Sequence, residues 1–245
     1  MSSKLGDKKL WNLMANSAQN SIEAGGWFSS YTLLPFSDIE MQEYVEDMER
    51  IITRYIDKDS KLLEIGCSSG LTMVCLCPKV KKYIGIDISK FELEWCEKEL
   101  EKYNLTNFEL RVLSAENIDQ ITGYFHGIIL NSVVHCFEST DYLENVIKKS
   151  SEMIKKEGFI YIGDVMNLDT KELFLNSLHE YKKLYPNTNT KLSLDNELLV
   201  SPKFFYELVA QYPNIKEVEI YKKSGSVENE LKKYRYNVIL KIKNH

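Results

Sequence analysis

Lys61-Leu62-Leu63-Glu64-Ile65-Gly66-Cys67-Ser68-Ser69-Gly70, continued after a helical-looking segment by Tyr83-Ile84-Gly85-Ile86-Asp87, decides how the rest of the chain is read. The apolar run 62–65 predicts a short strand, the small residues 66–70 a tight turn, and 83–86 a second strand that ends on an acid. Strand, turn, helix and strand make half of a nucleotide-binding βαβ unit. Small residues let the backbone approach a ligand closely, and an acid at the tip of the second strand can accept hydrogen bonds from a ribose diol.

Outward from this unit, strands and helices alternate. Apolar runs at 108–113, 127–130 and 159–162 predict three further strands, and helical periodicity marks 71–77, 90–103, 142–154 and 170–185. Continuously apolar strands separated by helices imply a parallel sheet covered on both faces. The runs 215–221 and 235–242 are β-rich, alternate in character and are joined by a polar loop, so they are expected to pair antiparallel. The expected fold class is α/β: a seven-stranded Rossmann-like sheet, mostly parallel, with an antiparallel C-terminal strand and helices on both faces. Residues 168–212 form a helical insertion with a polar Asn187-Thr188-Asn189-Thr190 middle. We expect residues 1–56 to be an N-terminal helical cap and lid, and 57–245 to be the ligand-binding domain that carries the insertion.

A length of 245 residues suits one α/β domain with additions, and 44% hydrophobic with 27% charged residues is ordinary for a globular protein. A net charge of −5 and scattered basic residues leave no footprint for nucleic acid. The pairs Lys81-Lys82, Lys148-Lys149 and Lys155-Lys156 read as solvated helix ends. No window approaches the roughly 18 apolar residues a membrane span needs, and no apolar run follows the charged N-terminus as a secretory signal requires. Five cysteines without paired metal spacing read as reduced thiols of a cytoplasmic protein, with no metal site.

Leu10, Leu13, Met14 and Ala18 predict an opening amphipathic helix over 8–22. The aromatic loop that follows needs something to pack on. Trp27 and Phe28 would glue it to the domain as a lid, or Tyr31 and its neighbours would close over a ligand. Ser37 with Glu40 three positions later is a capping box, and it opens a helix whose apolar face runs from Met41 to Ile52 and Tyr55.

Three ligands compete for the turn. A nucleoside triphosphate fails, since no Gly-Lys-Ser/Thr follows to neutralise the β- and γ-phosphates. A dinucleotide wants G-x-G-x-x-G, whereas Gly66 and Gly70 are four apart with Ser68 between them. Glu64-Ile-Gly66-Cys-Ser68-Ser-Gly70 instead resembles the E-x-G-x-G-x-G first motif of class I S-adenosylmethionine-dependent methyltransferases, with serine in place of the middle glycine. The resemblance implies cofactor contacts from Glu64, Gly66, Cys67, Ser68 and Gly70 at the turn, from Asp87 and Ile88 at the ribose, and from Ala115 and Glu116 at the adenine edge. Asn131 and Ser132, after the fourth strand, would face the methionine part and the acceptor.

A narrower resemblance runs from about residue 24 to the end. Gly26-Trp27-Phe28-Ser29-Ser30-Tyr31-Thr32, Leu130-Asn131-Ser132-Val133-Val134-His135-Cys136-Phe137, Ile162-Gly163-Asp164-Val165, Glu197-Leu198-Leu199-Val200-Ser201-Pro202-Lys203-Phe204-Phe205 and Asn229-Glu230-Leu231-Lys232-Lys233-Tyr234-Arg235-Tyr236 together resemble the methyltransferase domains embedded in nonribosomal peptide synthetases. Those domains usually N-methylate an aminoacyl group held on a carrier protein. The resemblance therefore implies a small-molecule acceptor in natural-product biosynthesis, the amine of an amino acid or peptide intermediate, either free or presented by a carrier protein or synthetase module. O- or C-methylation of a small metabolite and a non-catalytic binding subunit are the rival readings. Where many of those domains carry a glutamine, this chain has His135, which replaces a neutral amide with an imidazole.

Methyl transfer mainly requires near-attack geometry in a site shielded from water. His135 is the candidate base, since an imidazole titrates near neutrality; orienting the acceptor is its other reading. Asp164 and its neighbour Asn167, past the fifth strand, are candidates for binding the acceptor amine. Tyr31 from the lid and His179 from the insertion are candidates to reach the acceptor from above, and Trp27 to line its pocket. His126 and His245 read as structural or exposed.

Overall fold

The computed structural model describes residues 6–244. His245 and the first five residues, which carry part of the secretory-signal expectation, lie outside the described residues. Seven strands, β1 (Lys61–Ile65), β2 (Lys82–Asp87), β3 (Phe108–Val112), β4 (Phe125–Asn131), β5 (Ile154–Met166), β6 (Ile215–Lys222) and β7 (Arg235–Lys243), form one sheet in the order β3-β2-β1-β4-β5-β7-β6. Strands β1 to β5 pair in parallel, and β7 runs antiparallel to both β5 and β6. The expected seven-stranded sheet is therefore present, with β7 as its antiparallel member.

Side-chain alternation explains how helices cover both faces. Leu63, Ile84, Ile128 and Ile160 point to one face, with Leu143, Val146 and Ile147 of α6 (Thr140–Glu152) and Phe205 and Leu208 of α8 (Pro202–Gln211). Leu62, Tyr83, Ile129 and Phe159 point to the other. There they meet Met48, Ile51 and Ile52 of α3 (Asp38–Ile52), Met73 and Leu76 of α4 (Leu71–Leu76), and Leu93, Cys96 and Leu100 of α5 (Lys90–Lys102). Helix α3 starts with the expected capping box, in which Glu40 accepts from the Ser37 backbone and hydroxyl.

Three local expectations change. The opening helix is two pieces, α1 (Lys8–Ser17) and α2 (Ser21–Ala24), because Ala18 is extended and Asn20 caps the second piece through Glu23 N at 2.9 Å. Strand β5 runs well beyond 159–162, since residues before that run also pair with the strands on either side: Ile154 with Phe125 of β4 and Glu157 with Lys243 of β7. Helix α9 (Glu230–Tyr234) occupies part of the segment expected to be a loop, capped by Asn229, whose side chain accepts from Lys232 N. Within the insertion, α7 (Lys171–Leu184) and α8 are helical while 185–201 is not. Among the described residues, no helix is long and apolar enough to cross a membrane.

Candidate active site

The chain crosses from β1 to β2 and on to β3 on one side, then returns from β3 to β4 on the other side of β1, and the carboxyl ends of these strands part to make a crevice. Ile65, Asp87 and Asn131, the last residues of β1, β2 and β4, all line a cavity of about 1000 Å³. That volume is at the upper end of the range for small-molecule sites.

The floor is the turn after β1. Gly66 holds φ 74°, and a Cβ there would lie 2.5 Å from Val133 Cγ2, so glycine is required on both counts. Ser68 also sits at positive φ, 46°, where the expected pattern has glycine. Its side chain compensates: Ser68 Oγ donates to Glu92 Oε2 at 3.0 Å while its backbone N–H donates to Asp87 Oδ2 at 3.0 Å. Asp87 Oδ1 accepts from Ser89 N at 2.8 Å. Each carboxylate oxygen has a second lone pair to offer a ligand hydroxyl. Gly70 stands behind the wall as the cap of α4, packed on Cys96, where a Cβ would come within 2.7 Å of the sulfur.

Three acids crowd this end, and their surroundings separate them. Burial pushes Glu64 up to about 8, against hydrogen bonds from Thr72 and Tyr83. Burial and the charge of Asp87 push Glu92 to about 8 as well. Burial raises Asp87 only to about 6, because the peptide N–H groups of Ser89, Ser68 and Ile88 hold its ionised form. At neutral pH Asp87 is thus the ionised member of the three. Ile88, Leu113, Ala115, Glu116, Phe137 and Tyr142 continue the wall as a mostly apolar slot beside it.

Past β4, Asn131 is committed internally: its Oδ1 accepts from Tyr44 OH and its Nδ2 donates to Thr72 Oγ1, both at 2.9 Å. It presents a fixed edge to the cavity. Ser132, at φ 53°, sends its hydroxyl to Asp164 Oδ2 at 2.9 Å.

Asp164 itself stands behind the wall, at a bulge in β5 where φ is 60°. Its carboxylate is filled by Lys223 at 2.8 Å, Arg235 and Ser132. Burial raises its proton affinity, but Arg235 and Lys223 outweigh burial and hold the carboxyl well below the usual range. This corrects its expected contact with the acceptor: Asp164 is 1% exposed, does not line the cavity and is paired with Lys223, Arg235 and Ser132, so it anchors the wall. Tyr31 also turns away from the cavity. Its hydroxyl meets Ser177 Oγ at 2.7 Å and its ring packs on Tyr181 and Phe174, so it holds the lid to α7. Asn167 caps the turn 168–170, accepting from Asp169 N at 2.9 Å. His179 is exposed on α7, bonded to Leu175 O of its own helix. None of these four lines the cavity, whereas Trp27 and His135 do.

His135 differs from expectation in its chemistry. Burial, with Arg235 adding to it, pushes its imidazole down to about 3, so it is neutral throughout the physiological range. Around it stand residues that no local motif marked as functional: Arg235 at the start of β7, and Lys191 and Glu197 from the non-helical part of the insertion. Trp11 and Met14 of α1 close the cavity from the N-terminal side. Among the described residues, five buried side-chain polar atoms lack a hydrogen-bond partner, and three of them, His135 Nδ1, Glu197 Oε2 and Arg235 Nε, belong to this wall.

A family model for methyltransferase domains matches residues 56–228. The chain belongs to the methyltransferase domain family. This methyltransferase domain is 32% identical over 232 residues to chondramide synthase of Chondromyces crocatus, a match that covers 91% of this chain and 6% of the synthase. It is 30% identical over 232 residues to the beauvericin nonribosomal cyclodepsipeptide synthetase of Beauveria bassiana, covering 89% of this chain and 7% of the synthetase. The chain thus spans only a small fraction of these relatives' length. In fold it is similar to N-methyltransferase NodS from Bradyrhizobium japonicum WM9, solved in complex with S-adenosyl-L-homocysteine. That similarity has a TM-score of 0.57 at 14% identity and covers 85% of this chain and 88% of that one.

Proposed function

We propose that this domain transfers a methyl group from S-adenosylmethionine to the amine of an amino acid or peptide intermediate, free or carrier-bound. The donor fits the crevice. Asp87 has lone pairs for both ribose hydroxyls, the slot from Ile88 to Tyr142 takes a flat apolar-edged base, and the Cβ-free turn at Gly66 admits the methionine part. When bound, S-adenosylmethionine would supply a sulfonium methyl for a neutral amine to attack; the C–S bond breaks with its electron pair returning to sulfur, S-adenosylhomocysteine is the leaving group, and the resulting ammonium gives its proton to water.

The protein's part is placement. Asn131, fixed by Tyr44 and Thr72, and Ser132, fixed by Asp164, present an unyielding edge between donor and acceptor. The lid residues Trp27, Phe28 and Phe36 exclude water from above.

Nitrogen over oxygen is supported by the surroundings of His135, where burial and the Arg235 charge disfavour a protonated imidazole. An imidazole held at about 3 is a poor base for a hydroxyl. An amine with a pKa of about 8 needs none, because its free base is already populated in water. The chemistry of the synthetases that this chain resembles supports the same acceptor class. Incubation with methyl-labelled S-adenosylmethionine and a panel of free and carrier-tethered amino acids, followed by mass spectrometry, is expected to place the label on nitrogen. Label on oxygen or carbon would overturn the assignment.

A further inference from the structure

Ser89-Lys90-Phe91-Glu92 has the spacing of a capping box, in which the glutamate accepts the backbone N–H of the capping serine three positions earlier. Helix α5 completes only half of it. Ser89 Oγ accepts from Glu92 N at 3.3 Å, but the Ser89 N–H goes to Asp87 Oδ1 at 2.8 Å. The Glu92 carboxyl is thereby released from its own helix, and its Oε2 accepts from the Ser68 hydroxyl at 3.0 Å. Glu92 is 1% exposed and does not line the cavity. Cys96, one turn further along the same face of α5, packs against Gly70. Helix α5 thus grips the turn after β1 at both Ser68 and Gly70.

The grip at Ser68 matters because that residue holds φ 46°, a left-handed conformation that costs a residue with a Cβ about tenfold in population. In it the Ser68 peptide N–H reaches Asp87 Oδ2 at 3.0 Å. We propose that Glu92 is a positioning residue for the methyl donor: by holding the Ser68 hydroxyl it keeps the turn, and through the Ser68 N–H the carboxylate of Asp87, in the arrangement that receives S-adenosylmethionine. This rests on the methyltransferase function proposed above. A turn that relaxes in some molecules weakens the apparent affinity in proportion to the competent fraction that is lost. Glycine, which stands at this place in the motif that the turn resembles, reaches positive φ unaided and needs no such hold. Burial and the Asp87 charge favour the uncharged form of Glu92, and its Oε1 has no partner. A glutamine amide there keeps the oxygen that Ser68 needs and forfeits no bond.

Calorimetric titration with S-adenosylmethionine tests this on the unmodified protein, Glu92→Met, Glu92→Gln, Ser68→Gly, and Ser68→Gly combined with Glu92→Met. Glu92→Met is expected to bind at least about fivefold more weakly, and Glu92→Gln within about twofold of the unmodified protein. In the Ser68→Gly background, Glu92→Met is expected to cost less than about twofold relative to Ser68→Gly alone. Thermal melts accompany the titrations, because a merely structural glutamate would lower the midpoint in both backgrounds and leave the affinity alone. Amide hydrogen exchange at residues 66–70 reads the same turn with no ligand present, and is expected to speed up in Glu92→Met but not in Glu92→Gln. If Glu92→Met does not fold, Ser68→Ala stands in for it, since it keeps the Cβ and removes the hydroxyl, and the same weakening and faster exchange are expected. Unchanged affinity in Glu92→Met or its stand-in, an equal loss in Glu92→Gln, or the same cost in both backgrounds overturns the role of Glu92. Failure of the unmodified protein to bind S-adenosylmethionine overturns the methyltransferase function instead, and the exchange comparison still decides whether Glu92 holds the turn.

Discussion

The Ser68 peptide N–H donates to Asp87 Oδ2 at 3.0 Å, tying the turn after β1 to the tip of β2. With Ser89 N on the other oxygen, this bond holds Asp87 ionised at neutral pH despite burial that lifts its carboxyl to about 6. Ribose hydroxyls donating to Asp87 favour the ionised form further. Binding therefore has to displace a proton once the pH drops below about 6. The affinity for S-adenosylmethionine is expected to be flat just above pH 7 and to weaken by up to about tenfold per unit on the acid side. Calorimetry across pH 5–8 checks this, and Asp87→Asn is expected to flatten the acid-side slope while lowering affinity throughout.

Gly66→Ala puts a methyl 2.5 Å from Val133 Cγ2 on a backbone at φ 74°. The left-handed conformation alone costs about 1–2 kcal/mol for a residue with a Cβ. A lower thermal midpoint and at least about tenfold weaker S-adenosylmethionine binding are the expected outcome, read by calorimetry and a thermal melt.

Glu230 of α9 binds the lid through Ser30, which donates from its hydroxyl at 2.7 Å and its peptide N–H at 2.8 Å. Burial raises the Glu230 carboxyl, while Arg235 and these donors oppose the rise. Ser30→Ala removes one charge-assisted bond and leaves a buried oxygen short of a donor. Its expected cost is about 1.5–3 kcal/mol in urea unfolding. Faster proteolysis within 25–36 would accompany that loss.

A His135 side chain that stays neutral leaves no inflection of its own between pH 6 and 9. The ascending limb of kcat/KM is then set by the acceptor amine, near 8 for an α-amino group. His135→Gln is expected to change the rate without moving that limb. A limb that disappears in the variant would instead make the imidazole a titrating base.

The sheet and the turn that floors the crevice are legible in the sequence because their determinants are local. The run from Lys61 to Asp87 carries its own strand alternation, turn residues and terminal acid, and Leu62 and Leu63 already declare the two faces. The far wall of the cavity is not, because it is assembled from four distant pieces: the turn after β4, the loop around Glu197, the start of β7 and the lid. Glu197 and Arg235 both fell within blocks that resemble known domains, but nothing adjacent in sequence marks a side chain as lacking a partner. Asp164 reads in the sequence as a strand-end acid free to bind the acceptor amine, yet at the bulge in β5 it is paired with Lys223 and Arg235. His135 kept its place and lost its titration, since desolvation by the lid and insertion is a tertiary effect. Tyr31, Asn167 and His179 have local or lid-packing partners that only the folded chain supplies.

Calorimetric titration of S-adenosylmethionine into the unmodified protein and into Asp87→Ala tests the central claim most directly. The account predicts saturable one-site binding to the unmodified protein and at least about tenfold weaker binding to the variant, with both proteins folded by circular dichroism. No binding to the unmodified protein, or equal affinity in the two, would contradict it.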